Sequence, residues 1–454
     1  YVLPQEQNQW VVYSSSQHPG EAQHWVAHAL GIDNHRVRVE CRRMGGGFGG
    51  KETQSGHLAV WAAVAANKFK CPVKLRLDRD DDFMITGKRH PFAYDYTVGF
   101  DDGGLITGLQ LTMLANCGFS ADLSGPVADR AVFHTDNAYF LSDVDITSYR
   151  CKTNTQSHTA FRGFGGPQGV IAIETLLGDI ARHLGLDPLA VRRRNLYGVT
   201  ERNVTHYQMP VEDNILQPLL AQLEQTASYQ ARRAQIAAWN ANSPVLKRGL
   251  AITPVKFGIS FTATLFNQAG ALVHVYTDGS VMVNHGGTEM GQGLHTKVAQ
   301  IVADELGVPY ESVMIEHSDT AGTPFGYGTY GSRSLAVGGT AIVKAVDKVI
   351  AKGKKIAAHL LEAADTDIEF KDGVFKVAGT DKNVPFAQVA LTAYVPHNYP
   401  LDKLEPGLNE NAFYDPTNFT YPAGSYVCEV EIDPETGVVR VDRFTAVDDF
   451  GNVI

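Results

Sequence analysis

The sequence predicts an α+β fold made of two related domains, and three observations indicate it. Strand-like and helix-like patterns alternate along the 454 residues. A plan of strand, glutamine-bearing loop, helix, strand and glycine-rich loop occurs twice. The polar run at residues 240–244 separates a helical region from a new series of strands. We therefore expect domains at residues 1–242 and 243–454, packed face to face around a central cleft.

The first copy of the plan begins near the start of the chain. Residues 10–15 predict a strand, Gln17 is the glutamine of the following loop, and residues 19–30 predict a helix that Gly31 ends. Residues 36–41 alternate polar and apolar side chains as a strand does, and a helix is expected over residues 56–67. Between these two elements lies the run Gly-Gly-Gly-Phe-Gly-Gly-Lys-Glu at 45–52. A strand, a glycine turn and a helix N-terminus together form an anion-binding arrangement.

Two other interpretations of this loop were weighed. The spacing from Gly45 to Gly50 and Lys51 fits a nucleotide-binding P-loop, but Glu52 stands where Ser or Thr should ligate Mg²⁺. That carboxylate disfavours binding of a nucleoside triphosphate. The second interpretation is a tight turn that only packs the helix on the strand.

The rest of the chain continues the alternation. Strands are predicted at residues 73–78, 92–100, 105–117, 248–254 and 270–277, and helical patterns at residues 168–184, from Pro188, and at 214–240. The second copy of the plan comprises a strand at 281–285, Gln292, a helix ended by Gly307, a strand at 312–317 and a loop at 322–326.

Composition and charge exclude several classes of protein. The net charge of −10 without a basic patch disfavours a nucleic-acid partner, and no run of about eighteen apolar residues predicts a membrane span. The five cysteines form no CxxC pair, which favours a reducing, cytoplasmic compartment and gives no thiolate metal site. His24 and His28 share a helix face but lack a third ligand, so we expect a surface or packing role rather than zinc binding.

Further glycine-rich stretches occupy residues 159–168, 256–262, 285–293 and 326–334. Loops of this kind present backbone N–H groups and suit a large, phosphate-bearing cofactor. Phe164 and Phe261, each on such a loop, are placed to hold a flat heterocycle, and core packing is the alternative role for both.

Three of these motifs carry a resemblance. The run at 45–52, Phe-Arg-Gly-Phe-Gly-Gly-Pro-Gln at 161–168 and Gly-Gly-Thr-Glu-Met-Gly-Gln-Gly at 286–293 resemble the molybdopterin-binding part of the xanthine dehydrogenase family, which includes xanthine and aldehyde oxidases. The likeness covers essentially the whole chain and looks closest to the bacterial large subunit. It implies two related molybdopterin-binding domains packed around a central cleft.

The resemblance also implies the site residues. The implied cofactor is a molybdenum ion held by a pterin dithiolene, with no direct protein ligand to the metal. The implied cofactor contacts are Gly47, Phe48, Arg162, Met290, Gly291, Gln292, Gly331, Ser332, Arg333 and Ser334. The implied substrate contacts are Glu52, Arg130, Phe164, Phe261 and Thr262.

Glu52 and Arg130 resemble the catalytic pair that grips a purine. A carboxylate can accept from a ring N–H, and a guanidinium can stabilise charge that grows on a ring oxygen. Aldehyde-oxidising relatives carry apolar residues at these two places, so the pair favours a purine substrate. A plain structural salt bridge is the alternative.

The implied function is purine catabolism by a molybdenum hydroxylase. Hypoxanthine and xanthine would be oxidised to urate with water as the oxygen source, and electrons would pass to 2Fe–2S clusters, FAD and NAD. We expect those groups on a small subunit or domain that acts as partner. The alternatives are an aldehyde oxidoreductase of the same family and a non-catalytic scaffold subunit.

The family pattern extends past both ends of this chain. The general-base Glu and a pterin-contacting Gln loop are expected beyond Ile454, and a Gly-Gly-Gln segment before Tyr1. We therefore expect the second domain to be incomplete and the general-base Glu to be absent from the chain. We expect the isolated chain to be inactive and free of cofactor, and turnover of xanthine by it would refute that expectation.

Overall fold

The computed structural model describes residues 1–322, 328–395, 400–417 and 419–451. Helices and strands both run through these residues, in parallel and antiparallel sheets, which confirms the predicted α+β class. Most of the predicted loop at 322–326 lies outside the described residues. None of the helices in the described ranges combines the length and the apolar content needed to cross a lipid bilayer.

The elements are numbered in chain order. The helices are α1 (Pro19–Leu30), α2 (Gly56–Phe69), α3 (Arg79–Ile85), α4 (Ser124–Phe133), α5 (Gly166–Leu184), α6 (Pro188–Asn195), α7 (Leu216–Thr226), α8 (Tyr229–Asn242), α9 (Leu294–Leu306), α10 (Ala336–Leu361) and α11 (Phe386–Tyr394). The first strands are β1 (Val2–Pro4), β2 (Trp10–Tyr13), β3 (Val37–Cys41), β4 (Phe92–Phe100), β5 (Ile106–Gly118), β6 (Val144–Lys152), β7 (Lys247–Lys256), β8 (Ala269–Val275) and β9 (Val281–His285). The remaining strands are β10 (Val313–Ile315), β11 (Ser318–Asp319), β12 (Ile368–Lys371), β13 (Val374–Val377), β14 (Asn383–Pro385), β15 (Asn409–Tyr414), β16 (Ala423–Ile432) and β17 (Val439–Asp448).

The chain packs as two compact units, each made of separate segments. Of the described residues, the first unit contains those within 1–87 and 263–417, and the second those within 88–262 and 419–451. Both units combine segments from either side of residue 242. The division into domains at residues 1–242 and 243–454, and the cleft between them, stay predictions.

The repeated plan is present as two βαβ units, and both lie in the first unit. Strands β2 and β3 pair in parallel across α1, and β9 and β10 pair in parallel across α9. The first sheet has the strand order β1-β2-β3-β11 and the second β10-β9-β8-β15. Parallel neighbours need a crossover helix, which explains the helical pattern between each predicted strand pair.

The glycine-rich loops of the first unit follow the carboxyl ends of these parallel strands. Gln17 follows β2, residues 42–55 follow β3, and residues 286–293 follow β9. Strands β10 and β11 are separated by two residues and belong to different sheets, with Ser318 of β11 paired to Cys41 of β3. The chain after β10 therefore reaches the first sheet beside the loop that follows β3.

The second unit contains two sheets, β4-β5-β6 and β17-β16-β7. Helix α5 buries Ile173, Leu176, Leu177 and Ile180, as expected for an amphipathic helix, and leaves Ile171 of the same apolar pattern exposed. A methyl group at Gly165 would lie 2.0 Å from the carbonyl oxygen of Val127, so only glycine lets α5 begin against α4.

Two predicted elements differ in the structure. The strand expected at residues 73–78 is absent, since only Val73 bridges to Val2 and α3 begins directly afterwards. Asp78 caps that helix by accepting from the backbone N–H of Asp81, which competes with strand pairing. The helical region expected at 214–240 is two helices, because Ser228 adopts a left-handed backbone with φ 50°.

Helix α10 forms the centre of the first unit's core and yields a stability prediction. A methyl group at Gly353 would lie 2.5 Å from the ring of the fully buried Phe375. Gly353→Ala should therefore lower the free energy of unfolding by about 1–3 kcal/mol through overpacking.

Gly339→Ala in the same helix is the control: its methyl group would meet Ile301 at an ordinary 3.6 Å. That change should raise stability by up to about 1 kcal/mol, measured by urea unfolding. Equal effects of the two changes would contradict this packing.

Candidate functional site

Gln17 joins three loops of the first unit, which we name the Phe48 loop (residues 42–55), the Met290 loop (286–293) and the Arg333 loop (328–335). Its side-chain Oε1 accepts from the backbone N–H groups of Gly49 at 2.9 Å and Lys51 at 3.2 Å. Its Nε2 donates to the backbone oxygen of Thr329 at 2.8 Å. Its own backbone oxygen accepts from the N–H of Thr329 at 2.8 Å and from the hydroxyl of Thr288 at 3.3 Å. One buried residue thus contacts all three loops.

The Phe48 loop and the Met290 loop meet at Gly47. A methyl group there would lie 2.6 Å from Oε1 of Gln17 and 2.6 Å from Sδ of Met290, so any side chain at this position would displace one of them. Phe48, next in the chain, adopts a left-handed backbone with φ 53° and leaves 59% of its side chain exposed. The structure therefore brings Gly47 and Met290 together, as expected, and leaves the Phe48 ring open to solvent.

The Met290 loop is shaped by its own side chains. The Gln292 amide accepts from the N–H of Met290 at 2.6 Å and donates to the oxygen of Thr288 at 3.0 Å. The Glu289 carboxylate accepts from backbone N–H groups at the start of α9, those of Gly291, Gly293 and His295. Burial alone would raise the pKa of Glu289, but these hydrogen bonds hold that pKa below its ordinary value.

Arg333 is a buried cation with spare donors. Its Nη1 donates to the oxygen of Gln268 at 2.9 Å, and its guanidinium lies 4.4 Å from the Tyr330 ring. Among the described residues, its Nε and Nη2 have no hydrogen-bond partner, although the side chain is only 2% exposed. Helix α10 begins three residues later, so the N–H groups of its first turn, which have no partner within the helix, follow Arg333 closely in the chain. A buried cation with spare donors, close in sequence to a helix N-terminus, has the chemistry that suits an anion.

The other residues of the Arg333 loop support this site. Gly331 and Ser332 both adopt left-handed backbones, with φ 63° and 57°. Ser334 donates to the hydroxyl of Thr329 at 3.1 Å. Thr329 is also a hydrogen-bond partner of Gln17. Burial and the charge of Arg333 lower the pKa of His18 to about 4, so this imidazole is neutral near pH 7.

Glu52 lies at the end of the Phe48 loop, just before α2, and is buried, with 7% of its surface exposed. It belongs to the first unit, and Arg130 belongs to the second. The predicted pairing of these two side chains stays a prediction.

In the second unit, Arg130 lies on α4 and is fully buried. Its Nη1 donates to the backbone oxygen of Gly258 at 2.5 Å, and its Nη2 donates to that of Ser260. Three aromatic rings surround the guanidinium at 5.5–6.0 Å from their centres, those of Phe257, Phe164 and Phe419. The planar cation is therefore held by carbonyl groups within an aromatic surface.

The two predicted aromatic contacts meet beside Arg130. The rings of Phe164 and Phe261 lie 5.1 Å apart at an angle of 46°, and both are buried. Thr262 follows Phe261 and is half-buried. Arg162 is exposed, and its backbone oxygen accepts from Nη2 of Arg89 at 2.6 Å. The structure thus brings Arg130, Phe164 and Phe261 together and leaves the Arg162 side chain open to solvent.

His134 contacts the backbone of Arg130 and of the segment that holds the Arg130 side chain. Its Nε2 accepts from the N–H of Gly258 at 2.9 Å, so the neutral ring carries its proton on Nδ1, 3.1 Å from the backbone oxygen of Arg130. Burial, followed by the charges of Arg130 and Lys256, holds the pKa of His134 well below its usual value. Ser260, the next carbonyl partner, has an unusual φ of 102°. The imidazole therefore helps to fix the segment that holds Arg130.

Sequence reasoning assigned no site role to Gln17, Phe257 or His134. The repeat did place Gln17 and Gln292 at corresponding positions, which was the available signal for Gln17. Gln17 and Thr329 are 312 residues apart in the chain, and a local sequence pattern cannot predict a contact between residues so far apart.

Comparisons with known proteins identify the family of this chain. The molybdopterin cofactor-binding domain family matches residues 1–196 and 222–454. Xanthine dehydrogenase of Calliphora vicina is 37% identical over 99% of this chain and 32% of its own length. Xanthine dehydrogenase/oxidase of Gallus gallus is 44% identical over 80% of this chain and 26% of its own length. The structure of quinoline 2-oxidoreductase from Pseudomonas putida 86 matches with a TM-score of 0.90 and 28% identity, over 99% of this chain and 59% of that chain.

The chain thus spans about a third or less of the curated relatives it matches. The two family matches together include both the loops around Gln17 and the setting of Arg130. The chain belongs to the molybdopterin cofactor-binding domains of the xanthine dehydrogenase family.

Proposed function

We propose that this chain forms the cofactor- and substrate-binding part of a molybdenum hydroxylase that oxidises hypoxanthine and xanthine to urate. Water would supply the oxygen, and electrons would pass to 2Fe–2S clusters, FAD and NAD on a partner chain or domain. The observation that carries the purine assignment is the buried Arg130 guanidinium among aromatic rings. The relatives named as xanthine dehydrogenases support it further.

The residues of the first unit fit a pterin cofactor that bears phosphate. The unpartnered Nε and Nη2 donors of Arg333, near the start of α10, suit the phosphate. Backbone groups of Gly331, together with Ser332 and Ser334, would complete the site for the phosphate. Because Gly47 has no side chain, its backbone is open beside Met290. This surface would face the pterin and metal end of the cofactor.

The other predicted cofactor contacts are Phe48, Gly291, Gln292 and Arg162. The first three lie on the loops that Gln17 contacts. When bound, the molybdenum group supplies Lewis-acid activation of water and accepts the electrons of the oxidation. The protein's own residues would hold this group, exclude bulk water and orient the purine.

The second unit would bind the purine. A flat bicyclic ring suits the faces of Phe164 and Phe261, and Thr262 would supply a polar contact at its edge. Arg130, fixed by two carbonyl groups, would face a ring oxygen and stabilise negative charge that develops there. Glu52 would accept from a ring N–H or share its proton. Neutral His134 would keep Arg130 in place without adding a competing charge.

Replacement of Arg130 tests the purine assignment. In the intact complex, Arg130→Met should lower kcat/KM for xanthine by about 100-fold or more, since it removes a preorganised charge, and should spare benzaldehyde oxidation. Steady-state turnover of both substrates measures this.

The control is Arg202→Met, in which another arginine stacked on an aromatic ring, that of Phe140 at 5.3 Å, is removed. This control should keep the preference for xanthine. A wild-type complex that favours benzaldehyde would point to an aldehyde oxidoreductase, and an unchanged preference in Arg130→Met would contradict the proposed role.

Replacement of Arg333 tests the phosphate contact. Arg333→Met should lower the molybdenum and pterin content of the intact complex at least about 10-fold, because a charge-assisted hydrogen bond contributes about 1.5–3 kcal/mol. Metal analysis and fluorescence of released pterin measure the content.

Arg248→Met is the control, since that guanidinium also stacks on an aromatic ring, Trp239 at 4.2 Å, but is paired with Glu431. It should leave the cofactor content unchanged. Full cofactor content in Arg333→Met would refute the phosphate contact, and a wild-type complex without molybdenum would favour a scaffold subunit.

A further inference from the structure

We propose that the buried ion pair of Lys256 and Asp136 positions Arg130: it fixes the segment whose carbonyl groups hold the guanidinium, and so it sets the preference for a purine over an aldehyde. This inference rests on the proposed function and makes Lys256 and Asp136 positioning residues. All three residues belong to the second unit.

The ion pair lies fully inside the second unit. Nζ of Lys256 is 3.2 Å from Oδ2 of Asp136, and the two side chains are 2% and 0% exposed. The hydroxyl of Tyr197 donates to the same carboxylate oxygen at 2.7 Å. The Lys256 ammonium also lies 4.4 Å from the centre of the Tyr421 ring. Because bulk water and salt cannot screen two charges in such a site, their attraction holds both groups in place.

Asp136 depends on Lys256 for its counter-charge. Among the residues that the structure describes, the only other basic group at ion-pair distance from this carboxylate is Nδ1 of His206, at 3.9 Å. Burial lowers the pKa of His206 below its ordinary value, so this imidazole is neutral near pH 7. Removal of the Lys256 charge would therefore leave a buried carboxylate without a cation, and such a group favours a rearrangement of its surroundings.

The ion pair joins the turn after α4 to the end of β7. Asp136 is six residues after Arg130 in the chain, and Lys256 is two residues before Gly258. Arg130 in turn donates to the backbone oxygens of Gly258 and Ser260. The contacts therefore form a closed ring that runs from Arg130 to those carbonyl groups, back along the chain to Lys256, and across the ion pair to the turn that follows α4.

Neutral hydrogen bonds hold the same segment beside the ion pair. The side-chain oxygen of Asn137 accepts from the N–H of Lys256 at 3.3 Å, and His134 accepts from the N–H of Gly258 at 2.9 Å. On its other side, the segment pairs with residues 420–422 through backbone hydrogen bonds. The ion pair is the strongest link on the side of α4, because both of its groups are charged. Its loss should let the segment shift relative to the guanidinium.

A displaced guanidinium affects a purine more than an aldehyde. Under the proposed function, Arg130 stabilises negative charge on a ring oxygen of the purine, and benzaldehyde has no such oxygen. A displacement of about 1 Å can lower a rate by up to about 100-fold. Loss of the ion pair should therefore lower purine oxidation selectively.

Replacement of Lys256 in the intact complex tests this role. Lys256→Met should lower the ratio of kcat/KM for xanthine to kcat/KM for benzaldehyde at least about 10-fold, measured by steady-state turnover. Amide hydrogen exchange at Gly258, which donates to His134, should become faster, because the segment is held less firmly on that side. A purely structural role would lower both activities together and leave the ratio unchanged.

The matched control is Arg232→Met, which also removes the basic partner of a buried carboxylate in the second unit. Arg232 of α8 donates to Glu429 of β16 at 2.9 Å, and Glu429 is 2% exposed. Neither residue contacts the segment that holds Arg130, so this variant should keep the wild-type ratio and the wild-type exchange rate at Gly258, even where its melting temperature falls. A folded Lys256→Met complex with the wild-type ratio would overturn the proposal.

If Lys256→Met does not fold, the combination of Asp136→Asn with Lys256→Met decides. It removes both charges, leaves no unpaired buried ion and keeps an acceptor for Tyr197, so it should fold and show the same selective loss. The wild-type ratio in this double variant would overturn the proposal. A wild-type complex that does not favour xanthine would instead refute the proposed function, so the two failures are distinct.

Discussion

The close approach of glycine-rich backbone segments is the constraint on which the first unit depends. Such loops carry many backbone N–H and C=O groups and few side chains to satisfy them, and buried polar groups without partners are costly. Gln17 satisfies two N–H groups and one carbonyl of loops far apart in sequence, and Glu289 satisfies two N–H groups of its own loop and one in the first turn of α9. The loops can therefore stay free of bulky side chains and still hold one conformation.

The second unit differs from the first in that it surrounds a buried charge with partners. Arg130 is fully buried, and the structure places carbonyl oxygens and aromatic faces around it. Neutral His134 fixes the same segment. A cation held in this way cannot reorganise when charge develops nearby, which is the condition for strong electrostatic stabilisation. Arg333 in the first unit is buried too, but two of its donor atoms have no partner among the described residues, which suits a ligand rather than the protein itself.

Much of the local structure could be predicted from the sequence because it depends on local patterns. The strands predicted at residues 92–100 and 281–285 have the same bounds as β4 and β9, and Gly31 marked the end of α1. The strand expected at 73–78 failed because an aspartate cap started a helix after it. The glycine-rich loops and the aromatic residues Phe164 and Phe261 could be identified from the sequence itself, and the family resemblance then assigned roles to them. The roles of His134 and Phe257 were not predicted, because they depend on contacts across more than one hundred residues, from Gly258 to His134 and from Phe257 to Arg130.

The most direct test of this account is a crystal structure of the intact complex with a bound purine. We predict that the ring lies against Phe164 and Phe261, with one of its oxygens within hydrogen-bond distance of the Arg130 guanidinium and a ring nitrogen at Glu52. A purine bound elsewhere, or one bound between those rings without contact to Arg130, would contradict the account.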